Sequence, residues 1–189
     1  IPKAPTAEHY PLSHAQQRLA VIQQMEGSSR AYHLGGVYRL RGVLDLPRVE
    51  AAIHRVVARH ESLRTQFEEV AGELRQRVLP VEGWRGFAVE LKEVSDLSVW
   101  SQQVLDAPLD LAVDALFSTT FARETTGDWG VVLKLHHIIG DGASIEILQR
   151  DIEQAYAQPA ELASLERQYR DYAVWARDRS DSAELEPHR

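Results

Sequence analysis

The sequence predicts an α/β sandwich, a mixed sheet covered by helices. Three observations carry this. Apolar residues recur at helical spacing in several segments, short β-branched runs alternate with them, and the strands are joined both by a tight hairpin signal and by longer crossovers. The 189 residues suffice for one domain with a hydrophobic core and are too few for two ordinary ones. No internal repeat, low-complexity tract or interdomain linker interrupts the pattern.

In order, Ile1 to Pro11 holds three prolines and reads as an extended lead-in. Ser13 is a candidate N-cap for a helix, HAQQRLAVIQQM, with Ala15, Leu19, Ile22 and Met25 expected on its buried face. Gly27-Ser28-Ser29 is expected to end it. YHLGGVYRLRG has strand composition, and its glycine pair predicts a bulge or a close backbone approach. Asp45 opens a second helix with Pro47 in its first turn and Val49, Ala52, Ile53, Val56 and Val57 as its buried stripe.

Strands are predicted at 65–70 and 73–81, joined by Ala71-Gly72, with a further strand at 87–94. Asp96 is expected to cap a short helix at 97–105. Neighbouring strands at 116–123 and 129–136 flank the turn Thr125-Thr126-Gly127-Asp128. A helix at 145–157 and a last one at about 165–179 follow, with a polar, frayed tail at 180–189.

Apolar and charged fractions of 44% and 26% are those of a globular protein. With no cysteine, disulfides, thiolate chemistry and sulfur-ligated zinc are excluded. The formal charge of −7 argues against non-specific binding to nucleic acid or anionic lipid. The N-terminal stretch has neither a signal-peptide core nor a membrane span, so the expectation is a cytoplasmic protein acting without nucleic acid or membrane. No metal site is expected: the eight histidines show no HExxH spacing, and adjacent His136 and His137 would face opposite ways on a strand. No glycine-rich phosphate loop precedes a helix.

Chemistry concentrates in Trp129 to Ser144, WGVVLKLHHIIGDGAS: a buried strand, a turn at Gly140-Asp141-Gly142, then a helix. If alternation holds to the strand end, Val131, Leu133, Leu135 and His137 share one face, and Val132, Lys134 and His136 the other. A histidine at the end of an apolar row is poised to exchange protons near neutrality. Asp141 is either a second catalytic carboxylate or an anchor for the turn. A histidine pair at a strand end is, by itself, more often hydrogen-bonded core or a chance doublet.

HHIIGDG resembles the HHxxxDG signature of the condensation domains of nonribosomal peptide synthetases. Three further blocks of that family occur in the expected order: SHAQQRL at 13–19, RHESLRTQF at 59–67 and YRDYAVW at 169–175. The resemblance runs from about Tyr10 to Ala176. It implies a chloramphenicol acetyltransferase-like α/β sandwich, and it identifies this chain with a single lobe of a two-lobe domain. Residues 1–12 would be the lead-in, 13–179 the N-terminal lobe and 180–189 the tail.

By that resemblance, His137 serves peptide-bond formation between a donor acyl or peptidyl thioester and an acceptor aminoacyl thioester. Its role is either general base or orientation of the amine and stabilisation of the tetrahedral species. Asp141 is expected to pair with Arg64, His136 to support the turn, and Gly142 to allow close approach of backbone and substrate. Arg18, Tyr169, Asp171 and Trp175 are assigned to packing and polar support. No cofactor is expected to bind directly, because both substrates ride on phosphopantetheine arms. The implied partners are donor and acceptor peptidyl carrier proteins, an adjacent adenylation domain and the missing C-terminal lobe, without which the fragment is expected to be inactive.

Two alternatives stand beside this reading. An epimerization domain shares HHxxxDG but usually lacks the LRTxF continuation. A non-catalytic recruitment module would keep the fold with a damaged histidine motif, whereas His136, His137, Asp141 and Gly142 are all present here. The heterocyclization pattern DxxxxD is absent. Ala20 stands where the first block usually carries an aromatic residue, which leaves the substrate subtype open, although the block wording leans towards an L-configured donor.

Overall fold

The structure, a computed structural model, describes residues 1–26, 30–158 and 162–181. The Gly27-Ser28-Ser29 helix stop and the polar tail beyond 181 lie outside the described residues, as does the Met25 side chain. The chain runs through β1 (Tyr10–Pro11), α1 (His14–Glu26), β2 (His33–Leu40), α2 (Leu46–Arg59), β3 (Thr65–Val70) and β4 (Glu73–Val78). It continues through β5 (Phe87–Val89), α3 (Leu97–Asp106), β6 (Phe117–Arg123), β7 (Trp129–His136), α4 (Gly142–Ala157) and α5 (Tyr169–Asp181).

The strands form two sheets rather than one. The larger has the order β2-β7-β6-β5, with β5 and β6 parallel and the other pairs antiparallel. The smaller, β1-β4-β3, is antiparallel throughout. The hairpin stays apart because both its edges are engaged elsewhere. Tyr10 and Pro11 pair with β4, while the Phe67 N–H donates to the Leu111 carbonyl at 2.8 Å. Its turn places Ala71 at φ +53° and Gly72 at φ +81°, the two positive φ values that a two-residue hairpin turn requires.

Strand β7 is central in the larger sheet and buried on both faces. Val131 and Leu135 join the main core with Val49, Ile53, Val56 and Val57 of α2 and Leu148 and Ala155 of α4. Val132 packs on the opposite face against Trp100 and Ala122, with Leu97, Val104 and Leu105 of α3 around them. Strand alternation therefore delivers two apolar layers from one run, which makes the sandwich. The β2–β7 register runs unbroken from His33 opposite His136 to Leu40 opposite Trp129, so no bulge interrupts β2. The glycine pair serves close approach instead: a Cβ on Gly35 would lie 2.5 Å from Leu105 Cδ2 and 2.7 Å from the Leu133 carbonyl.

The second helix follows its expected stripe residue for residue, and the Asp45 carboxylate caps it by accepting the Arg48 N–H at 3.1 Å. Helix α1 does not follow its expected face. Gln16, Ala20 and Gln23 are buried while Ala15 is exposed. Glutamines can line this face because their amides find partners: Gln16 Oε1 accepts the Ser13 N–H at 2.9 Å, and Gln23 Nε2 donates to the Leu109 carbonyl at 3.4 Å. Helix α5 begins at Tyr169 rather than 165, where the Asp171 carboxylate can accept the N–H groups of Gln168 and Ala4, both at 2.9 Å. Strand β5 is shorter than expected. The chain leaves β6 after Glu90 and rejoins it only at the Val94–Glu124 bridge, with Leu91 fully exposed between. Among the described residues no helix is long and apolar enough to cross a membrane.

Ile53, 1% exposed at the centre of the α2 face, and Val43, fully exposed before it, give opposite expectations. Ile53→Ala should destabilise the fold by about 2–5 kcal/mol, from lost burial and a residual cavity. Val43→Ala should stay within about 0.5 kcal/mol. Denaturant midpoints of the two variants check this.

Candidate active site

The site is built where β7 stops. A strand paired on both edges leaves its last backbone groups to be satisfied by whatever follows. The His136 N–H donates to the Leu116 carbonyl and the His137 N–H to the Tyr32 carbonyl, both at 2.8 Å. The next residues turn back on His136 itself: the Ile138 N–H donates to His136 Nδ1 at 3.1 Å, and the Ile139 N–H to the His136 carbonyl at 3.1 Å. Ile138 and Ile139 bury their side chains in the main core, which draws the turn inward.

His136 is fully buried. Because its Nδ1 accepts from a backbone amide, its ring proton belongs on Nε2, which faces Gln23 Oε1 at 3.5 Å. The His33 ring meets it edge-on at 6.0 Å. Burial, and then the positive charges that His33, His137 and Lys134 would present, hold its pKa down to about 4. His136 is thus a buried imidazole held neutral, with its Nδ1 accepting from the turn.

His137 is its opposite. The strand has ended, and its side chain is exposed rather than continuing the buried row of Leu135. The His137 Nδ1 lies 2.9 Å from the Gly140 carbonyl, an atom that only accepts, so the Nδ1 carries the proton. The Nε2 lone pair is left for an incoming donor. A ring held in one tautomer, with its free nitrogen outward, can accept a proton from a substrate without first reorganising.

Asp141 is the N-cap of α4. Its carboxylate accepts from the Ser144 N–H at 2.9 Å and the Ser144 hydroxyl at 2.7 Å, while the Asp141 N–H donates to Ser144 Oγ at 3.0 Å. These bonds to Ser144 lower its pKa. Nothing ties it to Arg64, which corrects the expected pairing. Arg64 donates to the Leu79 carbonyl and lies 3.8 Å from Glu61. The physical reason is local supply: Ser144 already satisfies the Asp141 carboxylate, and a carbonyl beside β4 already occupies the guanidinium.

The backbone is tightly packed at Gly140 and open at Gly142. A Cβ on Gly140 would lie 2.8 Å from Leu135 Cδ2, whereas at Gly142 it would meet nothing within 4 Å. The fold itself therefore does not require glycine at 142.

The RHESLRTQF block acts as a staple between helices. His60 Nε2 lies 2.7 Å and Arg59 Nε 3.5 Å from the buried Asp151 carboxylate of α4. Glu61 faces Arg170 of α5 at 3.1 Å, and Gln168 bridges the Arg59 carbonyl and the Glu61 N–H. Ser13 and Tyr169, from the first and last blocks, share a hydroxyl–hydroxyl hydrogen bond of 2.9 Å. Behind the site, the buried Lys134 donates to the Val104 and Ala107 carbonyls at the end of α3, with burial holding its pKa down to about 8. The His33 ring donates to the Leu105 carbonyl at 3.0 Å.

The sequence reading placed Gly140 and Ser144 in the turn stretch without assigning their contacts, and it missed Gln23 and His33 as parts of this neighbourhood. Ser144 left a signal as the N3 partner of an aspartate cap, and Gly140 as part of the turn. Gln23 and His33 depend on tertiary contacts.

Comparison with known proteins places these features in a family. A family model described as a condensation domain matches residues 6–189. The chain is 40% identical over 171 residues to tyrocidine synthase 3 of Brevibacillus parabrevis, covering 89% of this chain and 3% of that protein. Among solved structures it is similar to the X-domain in the complex of the X-domain and OxyB from teicoplanin biosynthesis, with TM-score 0.80 and 28% identity over 98% of this chain and 42% of that one. The starter condensation domain of the rhizomide synthetase RzmA shares the fold, with TM-score 0.76 and 21% identity over 94% of this chain and 45% of that one. The chain thus spans less than half of these solved chains and a small fraction of that curated relative.

Two expectations follow from the geometry. Asp141→Ala removes a helix cap and should cost about 1 kcal/mol. Because Asp141 and Arg64 have separate partners, the double mutant Asp141→Ala/Arg64→Ala should equal the sum of the singles within about 0.5 kcal/mol in a denaturant cycle. The second concerns pH. The folded-state pKa of His136 lies below its ordinary 6.5, so the unfolded chain binds the proton first. Stability should be fully present above pH 6.5 and fall, by on the order of a few kcal/mol, as pH drops towards 4. His136→Asn should flatten that part of the profile in unfolding measurements across the same range.

Proposed function

The chain belongs to the condensation-domain family of nonribosomal peptide synthetases, and on that premise we propose that it forms one lobe of a domain joining two carrier-bound thioesters through a peptide bond. The observation that carries the reading is the presentation of His137, anchored through Nδ1–H to Gly140 with Nε2 outward. The α-amine of the acceptor attacks the carbonyl carbon of the donor thioester. A C–N bond forms, the C–S bond breaks, and the amine proton passes to His137 Nε2 and on to the leaving sulfur. A thioester is already activated, so the histidine need only orient the amine and take one proton.

The remaining parts of the reading follow the family. His136 and Asp141 support the turn, and the space beside Gly142 leaves room for substrate to approach the helix start. Residues 13–179 form the N-terminal lobe. Donor and acceptor carrier proteins bring phosphopantetheine-borne substrates, and an adenylation domain and a second lobe complete the module. Exposed Ile147, Tyr169 and Tyr172 on α4 and α5 offer apolar area for that lobe to cover. Without it, His137 faces open solvent and the thioesters lose the positioning that makes attack effectively intramolecular.

A second reading, a partner-recruiting module, draws on the likeness to the teicoplanin X-domain, whose structure is a complex with OxyB. The intact Gly140 anchor for His137 favours catalysis instead.

In the intact multidomain protein, His137→Ala should lower peptide formation from loaded carrier proteins by about 10²–10⁴-fold while leaving the circular dichroism spectrum unchanged. Residues 1–189 alone should unfold cooperatively and yield no product. Near-wild-type turnover in the variant, or robust synthesis by the isolated chain, would remove His137 or the two-lobe requirement from the account.

A further inference from the structure

We propose that Gln23 is a positioning residue for His137, acting through the His136 ring. The proposal rests on the reading of His137 as the proton acceptor and adds the device that sets its geometry. Two backbone groups fix the polarity of the chain of contacts from its ends. At one end the Leu109 carbonyl can only accept, so the Gln23 amide turns its NH2 group there at 3.4 Å and its oxygen the other way. At the other end the Ile138 N–H can only donate, so His136 Nδ1 must be the unprotonated ring nitrogen, at 3.1 Å. Between them one arrangement satisfies every atom: Nε2–H of His136 directed at Gln23 Oε1.

The consequence falls on the next residue. Ile138 follows His137, and its N–H is tied to the His136 ring; the His137 N–H is tied to Tyr32, and its ring to Gly140. His137 is therefore held from both sides of its backbone and at its side chain. One of those ties exists only while His136 is neutral with its proton on Nε2. Gln23 is 8% exposed and His136 fully buried, so water does not substitute freely for the amide. The charged or titratable groups acting on the His136 ring are His33 from β2, Lys134 from β7 and His137. All are cationic or neutral, so among the described residues the arrangement has no carboxylate to stabilise an imidazolium at position 136.

The test uses the 189-residue chain with 15N-labelled histidine and backbone. Gln23→Glu keeps shape and acceptor but adds the missing negative charge. The His136 protonation midpoint should rise by about 1–3 pH units. As pH falls through that raised midpoint, both ring nitrogens become donors, and the Ile138 N–H and the His137 Nδ1–H should lose their protection from exchange together. In the wild type both should stay protected over the same range. Gln23→Leu should speed exchange of the His136 Nε2–H and spread the neutral His137 ring over both tautomers. A merely space-filling Gln23 would shift thermal stability and leave these ring signals alone.

An unshifted His136 midpoint in Gln23→Glu would overturn the proposal. So would His137 signals that follow the wild type while His136 is charged, or a folded Gln23→Leu with unaltered His136 and His137 rings. The readout does not pass through activity. Loss of peptide formation with an intact ring signature would count against the function proposed for His137 and not against the Gln23 linkage.

Discussion

The end of β7 governs the rest of the molecule, because a strand paired on both edges and buried on both faces has no water at hand for its last polar groups. The chain solves this by folding the next residues onto His136: Ile138 donates to the ring and Ile139 to the carbonyl. That tight turn forces His137 outward and leaves the Gly140 carbonyl facing its ring. Asp141 then starts α4 at once by capping it. Burial, turn and exposed histidine are one solution to one accounting problem.

A second set of contacts keeps α4, and with it the turn, in register with the other helices. The buried Asp151 of α4 takes His60 and Arg59 at the end of α2, while Glu61 takes Arg170 of α5. Helix α2 also holds the far end of α4 through Arg48, which donates to the Tyr156 carbonyl at 2.7 Å. Removing one member of a buried pair leaves the other uncompensated, so these contacts define relative placement more than they add net stability. Arg64 belongs to this framework rather than to the turn that carries His137.

Much of this was legible in the sequence where local rules and tertiary packing agree. Helix α2 combines an aspartate cap, a proline in the first turn and an unbroken apolar stripe, and it appears as read. Strand β7 likewise keeps its bounds, and the hairpin turn was marked by Ala71-Gly72. Helix α1 misled because its buried face is Gln16, Ala20 and Gln23, and a glutamine reads as solvent-facing until its partners are known. The partner of Arg64 was equally hidden. Motif spacing says that an arginine and an aspartate recur together, but not that Ser144 and the Leu79 carbonyl reach them first. The separation into two sheets depended on pairing between Tyr10 and Gln76, far apart in the chain.

On the proposed reading, two adjacent histidines hold opposite tautomers, His136 for structure and His137 for proton transfer. Long-range nitrogen–proton correlation spectra of the imidazole rings, recorded near pH 7 on the wild-type chain, measure this directly. The expected spectra place the proton of His136 on Nε2 and that of His137 on Nδ1. The same tautomer on both rings, or His137 carrying its proton on Nε2, would contradict it.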